Sequence, residues 1–263
     1  MLDNWTKQKG KTMTELLTKH SGYRKLNTFT YASIIQIATW RFCRTFLNRK
    51  NDPCGRQFDQ MTQAARSGRA NIVEGSERSA TSKSTEMRLT DVAKASLGEL
   101  KSDFEFWLLS QKKLPWKKSS PDVAGIRNIQ LDPNTPIMTN DLHESDKYIL
   151  SQYDKFSFWL DSDNAETVAN AMLILLSRVL YMLEKQITAQ GESFKQEGGF
   201  RERLNTVRIE EKDKNIPEDA PTCPECGKQM RKCIAKAGTN AGNPFWGCLG
   251  FPDCKGVRSF EQP

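Results

Sequence analysis

With 263 residues, 37% hydrophobic and 27% charged, the chain has the balance of a globular protein large enough for one or two cored domains. No uninterrupted apolar run approaches the ~18 residues of a membrane helix. The opening MLDNWTKQKGKTMTELL has no apolar h-region and no small-residue cleavage site, so the expected location is the cytoplasm, where thiols stay reduced.

The formal charge of +7 suits a polyanionic partner. It is unevenly spread: residues 19–89 hold 13 Lys/Arg against 5 Asp/Glu, a larger surplus than that of the whole chain. A solvated helical face is the plainer explanation of any single charge run.

The first predicted element is a helix over 26–49. Ile35, Ala38, Phe42 and Phe46 recur at three- and four-residue steps, and Ile34 and Ile37 form a second apolar strip. A surface that wide predicts burial against more than one neighbour. Asn51-Asp52-Pro53 breaks the helix, and Pro53 is placed to open the next one from its first turn. The second helix runs to about Ser79, with Met61, Ala65, Gly68, Ile72 and Gly75 inward. These small residues admit a close backbone at some cost in helix propensity.

The run from Ser79 to Ser84 is rich in capping residues and leads into a third helix. That helix carries Leu89, Ala93, Leu97, Leu100, Phe104 and Trp107 on one face and ends near Lys112-Lys113. Residues 113–160, with prolines at 115, 121, 133 and 136, read as an irregular insertion, although Tyr148 to Leu160 is aromatic enough to pack. A fourth helix follows over 163–190, capped by Ser162 or Asp163. Ala165, Ala169, Met172, Leu176, Leu180, Leu183 and Ile187 form its stripe.

Four such helices predict an all-α, up-down four-helix bundle over 1–190. A Glu/Lys/Gln-rich linker (191–221) and a small C-terminal module (222–263) complete the chain.

In that module Cys223-Pro-Glu-Cys226-Gly is answered by Cys248 and Cys254. A Cys-x2-Cys turn and a second cysteine pair about twenty residues on make a closed four-thiolate site, here a structural zinc. Cys233 matches neither pair, and Cys43 and Cys54 are expected to be buried small hydrophobes.

CPECGKQM, FWGC and FPDC resemble the zinc-ribbon repeats of bacterial type I topoisomerases, over about 40 residues. That resemblance implies binding of single-stranded DNA. Phe245, Trp246 and Phe251 would stack on bases, and Lys228, Arg231, Lys232 and Lys255 would meet phosphates. The alternative is that the aromatics pack around the metal. Nothing resembles a topoisomerase catalytic core.

GYRKL (22–26) and QAARSGRANIVEGSERSATSKSTEMRLTDVAKASLGEL (63–100) resemble the bacterial four-helix-bundle proteins. These comprise the intervening-sequence proteins of ribosomal RNA genes and the accessory variability determinant of diversity-generating retroelements, with the four helix bundle suffix domain subgroup nearest. The resemblance covers the first three helices and implies a homopentamer with a basic surface. In the retroelement members that surface binds a reverse transcriptase and its RNA.

No catalytic residues are expected. His20 and His143 have no nucleophile motif near them, and Asp91, Glu99 and Asp103 read as a polar helix face.

The preferred reading is a non-enzymatic accessory protein that binds single-stranded RNA or DNA. Its candidate contacts on the bundle are Arg66, Arg69, Arg78 and Lys83. Arg66 and Arg69 share a helix face directed away from the core. The rival is a protein-interaction scaffold with a structural zinc module. An enzyme with an unrecognised site is the weaker third reading.

Overall fold

A computed structural model of the chain describes residues 22–48, 50, 52–135, 141–198, 202, 204–209, 216 and 220–260. His20, Pro136, the opening segment and most of the expected linker lie outside the described residues. Two compact units emerge, which among the described residues are 22–198 and the residues from 202 to 260. Among the described residues the chain is mostly helical, with one small sheet near the C-terminus.

In the helical unit, α1 (Asn27–Phe46), α2 (Arg56–Arg78), α3 (Lys83–Ser110) and α7 (Ala165–Glu197) are long. Between them lie α4 (Pro121–Asn128), α5 (Leu142–Asp154) and α6 (Ser157–Leu160). The long helices form a cycle: α2 packs on α1 and α3, and α7 packs on α3 and α1. Phe42 sits inside it, with its ring edge-to-face with Phe104 at 5.0 Å and Trp107 at 5.1 Å. Such pairs add ~0.5–1.5 kcal/mol beyond burial.

α2 and α3 approach closely because α2 presents glycine to its neighbour. A Cβ on Gly68 would lie 2.5 Å from the Leu97 side chain, and one on Gly75 would lie 3.3 Å from the Glu86 carbonyl oxygen. The stripe from Met61 to Gly75 is buried throughout.

α7 is long and apolar enough to cross a membrane by length and composition. Its Met172, Leu176, Val179 and Leu183 are instead part of the protein core.

Several boundaries differ from expectation, each for a local reason. α2 starts at Arg56, not Pro53. Gly55 takes up a left-handed conformation (φ 66°), and the Asp52 carboxylate caps the helix by accepting from the Gln57 and Phe58 N–H groups at 3.3 and 2.9 Å. α7 is capped by Asn164, whose side-chain oxygen accepts from Glu166 N at 2.9 Å, and not by Ser162 or Asp163. It continues to Glu197, where Gly198 stops it at φ 64°. α3 begins as expected, with Ser82 Oγ accepting from Thr85 N. Cys43 is buried, whereas Cys54 is exposed, since it stands in the turn before α2.

The largest correction concerns 113–160. It is helical over α4, α5 and α6, and contributes Val123, Ile126, Tyr148, Ile149, Tyr153, Phe156 and Leu160 to the buried set. α5 packs on α1, while α4 and α6 pack on α7. On the second strip of α1, Ile34 is fully buried within the chain and Ile37 is half-buried.

Polar anchors hold this segment in place. Arg178 of α7 donates to the carbonyls of Ile126, Arg127 and Ile129 and to the Tyr31 hydroxyl, at 2.6–3.2 Å. It thereby satisfies the orphan carbonyls at the end of α4. Gln152 and Asp132 hydrogen-bond reciprocally, Tyr148 donates to the Asp132 carbonyl, and Asn170 accepts from Trp116 N.

The second unit holds a three-stranded antiparallel sheet in the order β1 (Met230–Ile234), β2 (Pro244–Cys248), β3 (Val257–Ser259). Met230 pairs with Cys248, Lys232 with Trp246, and Trp246 with Arg258.

Candidate metal centre

Two tight turns bring the four cysteines together. In the first, Gly227 at φ 71° lets its N–H return to the Cys223 carbonyl at 2.9 Å, and Cys223 N donates to the Lys228 carbonyl at 2.8 Å. In the second, Cys254 N donates to the Gly250 carbonyl and Cys248 N to the Gly256 carbonyl. The Sγ atoms of Cys223, Cys226, Cys248 and Cys254 all lie within 4.8 Å of one another. The Cys223–Cys254 pair is at 3.7 Å and the Cys226–Cys248 pair at 3.3 Å. Thiolates 2.3 Å from a tetrahedral metal stand roughly 3.8 Å apart, so the donor set and spacing fit a metal ion.

Local detail supports that fit. Gly250 N points at Cys248 Sγ from 3.2 Å. A Cβ on Gly256 would lie 2.3 Å from Cys223 Sγ, so only glycine leaves that sulfur its position. Burial pushes the Cys223 thiol up, but hydrogen bonds from the Glu225 and Cys226 backbone N–H groups and from the neighbouring thiols bring it down to about 7. The Gly256 N–H favours the Cys254 thiolate, yet burial and the other three cysteines outweigh it and raise that pKa. Burial raises Cys248 as well. Four thiolates therefore share this space only around a cation.

Cys233 is not in the cluster. It pairs with Phe245, on the sheet face opposite Cys248, because side chains alternate along a strand. The same alternation divides the aromatics. Trp246 shares the face of Cys248 and packs half-buried against the cysteine cluster, while Phe245 lies on the far face. Phe251 is 63% exposed. Packing around the metal thus describes Trp246 and not Phe251.

Beside Trp246 stand two residues missing from the expected contacts. The Phe260 ring is 5.2 Å away, and Arg258 is its partner across the strands. Lys232 Nζ sits 4.3 Å over the Phe260 ring. Lys228 and Lys255 are exposed and Arg231 is half-buried. Arg258 and Phe260 were hidden because strand pairing, not motif spacing, brings them to Trp246.

The expected bundle contacts fare differently from one another. Arg66 is exposed next to Trp40 and Arg41 of α1, and Arg78 is exposed at the end of α2. Arg69 is spent on α1. Its Nε donates to Ser33 Oγ at 2.9 Å and its guanidinium lies 4.8 Å over the Phe29 ring. It therefore does not project into solvent with Arg66. Lys83 forms an ion pair with Glu86 at 3.4 Å.

Asp91 and Glu99 are exposed, and Asp103 shares a groove with Glu99 and Asp59 between α2 and α3. Burial, then Glu99, raises the Asp103 pKa. His143 is exposed on α5.

No family model, curated protein or solved structure matches the chain.

Proposed function

We propose that the chain is a non-enzymatic accessory protein of the cytoplasm that binds single-stranded nucleic acid. One zinc ion would be held by Cys223, Cys226, Cys248 and Cys254. The scaffold is read as an up-down four-helix bundle of α1, α2, α3 and α7, with 113–160 as its fifth wall. By the resemblance of 22–100, the physiological partners are a reverse transcriptase and its template RNA, and the oligomer is a homopentamer.

The observation that carries the reading is the sheet face of the metal centre. There Trp246 and Phe260 stand among Lys232 and Arg258, a pairing of flat rings and cations suited to bases and phosphates. On the helical unit, exposed Arg66 stands beside the half-exposed Trp40, while Arg41 is ion-paired with Asp161 at 3.1 Å. Self-association draws support from Phe106 and Leu109, which α3 leaves exposed at 64% and 60%, more than from the second strip of α1, where Ile34 is buried and Ile37 half-buried.

Fluorescence anisotropy with a labelled oligothymidine tests the reading. Trp246→Ala should weaken binding by ~1–3 kcal/mol with little change in salt slope, whereas Arg66→Glu should flatten the slope. Absence of binding at about 50 mM salt would favour the protein-interaction scaffold. That second reading has its own support, because Arg69 and Lys83 are committed to contacts within the chain.

A further inference from the structure

A separate feature of the helical unit points to a small-molecule site. A cavity of about 420 Å³ opens between α3, the 115–128 segment and α7, within the ~300–1,000 Å³ typical of ligand pockets. Three walls bring cations to it: Lys101 from α3, Lys118 and Arg127 from the connection and α4, and Arg178 from α7. Its only acidic lining residue, Glu105, is already paired with Lys101. Arg178 is fixed in place, but its acceptors are three carbonyls and a phenol. None of these neutralises its charge. The side chains of Lys118 and Arg127 have no ion-pair or hydrogen-bond partner among the described residues. Like charges gathered without counter-anions repel, and a bound anion would relieve that repulsion.

The remaining lining is aromatic. Trp116 is half-buried, and its backbone N–H is held by Asn170 Oδ1 at 2.7 Å, which positions the indole at the cavity wall. Tyr181 is 64% exposed on the wall formed by α7, with Lys185 Nζ 5.4 Å from its ring centre. Flat rings together with uncompensated cations select a ligand that is itself flat at one end and anionic at the other.

We infer that this cavity binds a nucleotide, with the base against Trp116 and Tyr181 and the phosphate against Lys118 and Arg127, beside the uncompensated charge of Arg178. The nucleotide is either free or the 5′-phosphorylated end of a strand. The site is distinct from the Trp246 surface and does not depend on that surface binding anything.

Calorimetric titration of the full chain tests the assignment. The probes are adenosine 5′-monophosphate, adenosine, inorganic phosphate, and a short oligothymidine with and without a 5′-phosphate. The monophosphate is expected to bind more tightly than either adenosine or phosphate. The double variant Lys118→Ala/Arg127→Ala alters two unpartnered side chains. It should weaken that binding by roughly tenfold or more, as loss of charge-assisted contacts requires, and Tyr181→Ala should weaken it separately.

Trp246→Ala should leave it unchanged, so failure here and failure of the single-strand reading are told apart. Preference for the 5′-phosphorylated oligothymidine would assign the strand end, and preference for the monophosphate would assign the free nucleotide. No heat of binding for any phosphorylated probe at about 1 mM would overturn the inference. So would phosphate binding as tightly as the monophosphate, or affinity unchanged in the double variant.

Discussion

The two units of the chain solve the same problem, ordering a backbone, by different means. The helical unit does it with apolar area: a continuous core from Phe29 to Leu183 that draws on every helix. Among its described residues the C-terminal unit has a buried side-chain core of Cys223, Met230 and Cys248, with Trp246 and Cys254 against them. So small a core cannot offset chain entropy, and cross-links must supply the difference. The helical unit would therefore tolerate loss of any one contact by degrees, while the C-terminal unit would depend on a single event, capture of a metal ion by its four clustered cysteines.

The sharpest break in that comparison is removal of the metal. Structural four-ligand zinc sites contribute roughly 10–16 kcal/mol of apparent binding free energy. A strong chelator or Cys248→Ser should abolish the dispersed amide NMR signals of 220–260 and leave far-UV helicity unchanged. Cys233→Ser should retain a full metal equivalent by elemental analysis, and Gly256→Ala should lose affinity because its Cβ meets Cys223 Sγ. Loss of helicity along with the metal would show that the units are not independent.

The converse experiment acts on the core. Phe104 is fully buried and packs edge-to-face on Phe42. Phe104→Ala should destabilise the helical unit by about 3–5 kcal/mol in urea titration, with metal content unchanged.

A smaller effect is expected where the helical unit also relies on a single group. Arg178 holds the end of α4 through its planar fork, and Arg178→Ala leaves those carbonyls without their donor. A loss of about 2 kcal/mol is expected, with faster proteolysis in 113–135. Arg178→Lys should restore only part of it, since an ammonium lacks the fork geometry. Equal proteolysis in wild type and Arg178→Ala would show that apolar packing alone fixes this wall.

The smallest expected effect is a pH dependence at the same wall. Hydrogen bonds from Lys155 and then Gln152 hold the Asp132 carboxyl below its ordinary pKa. A depressed folded-state pKa stabilises above the unfolded value, roughly 4. That contribution is lost as pH falls through the lower folded value. Hydrogen exchange in 129–135 should therefore accelerate below about pH 4 in wild type, and Asp132→Asn should show no such step.

The strongest periodicities and spacings of the chain carry over directly into its fold. The stripe of α2 and the inward face of α3 from Ala93 to Trp107 are buried as read, because 3.6-residue repetition leaves one consistent core face. The four cysteines meet because each pair is placed by a short-range turn, with glycine where the backbone needs it.

The remaining features depend on contacts between elements far apart in the chain. Residues 113–135 lack an apolar stripe, and they are anchored by Arg178, Asn170 and Gln152, partners that lie 20 to 54 residues from the groups they hold. No local pattern encodes such a contact. Arg69 and Lys83 looked like free cations until Ser33, Phe29 and Glu86 were found against them. Arg258 and Phe260 came to Trp246 through sheet register. Charge and aromaticity are written in the sequence, but whether a side chain faces solvent or is spent on a neighbour is set by packing between elements distant in the chain.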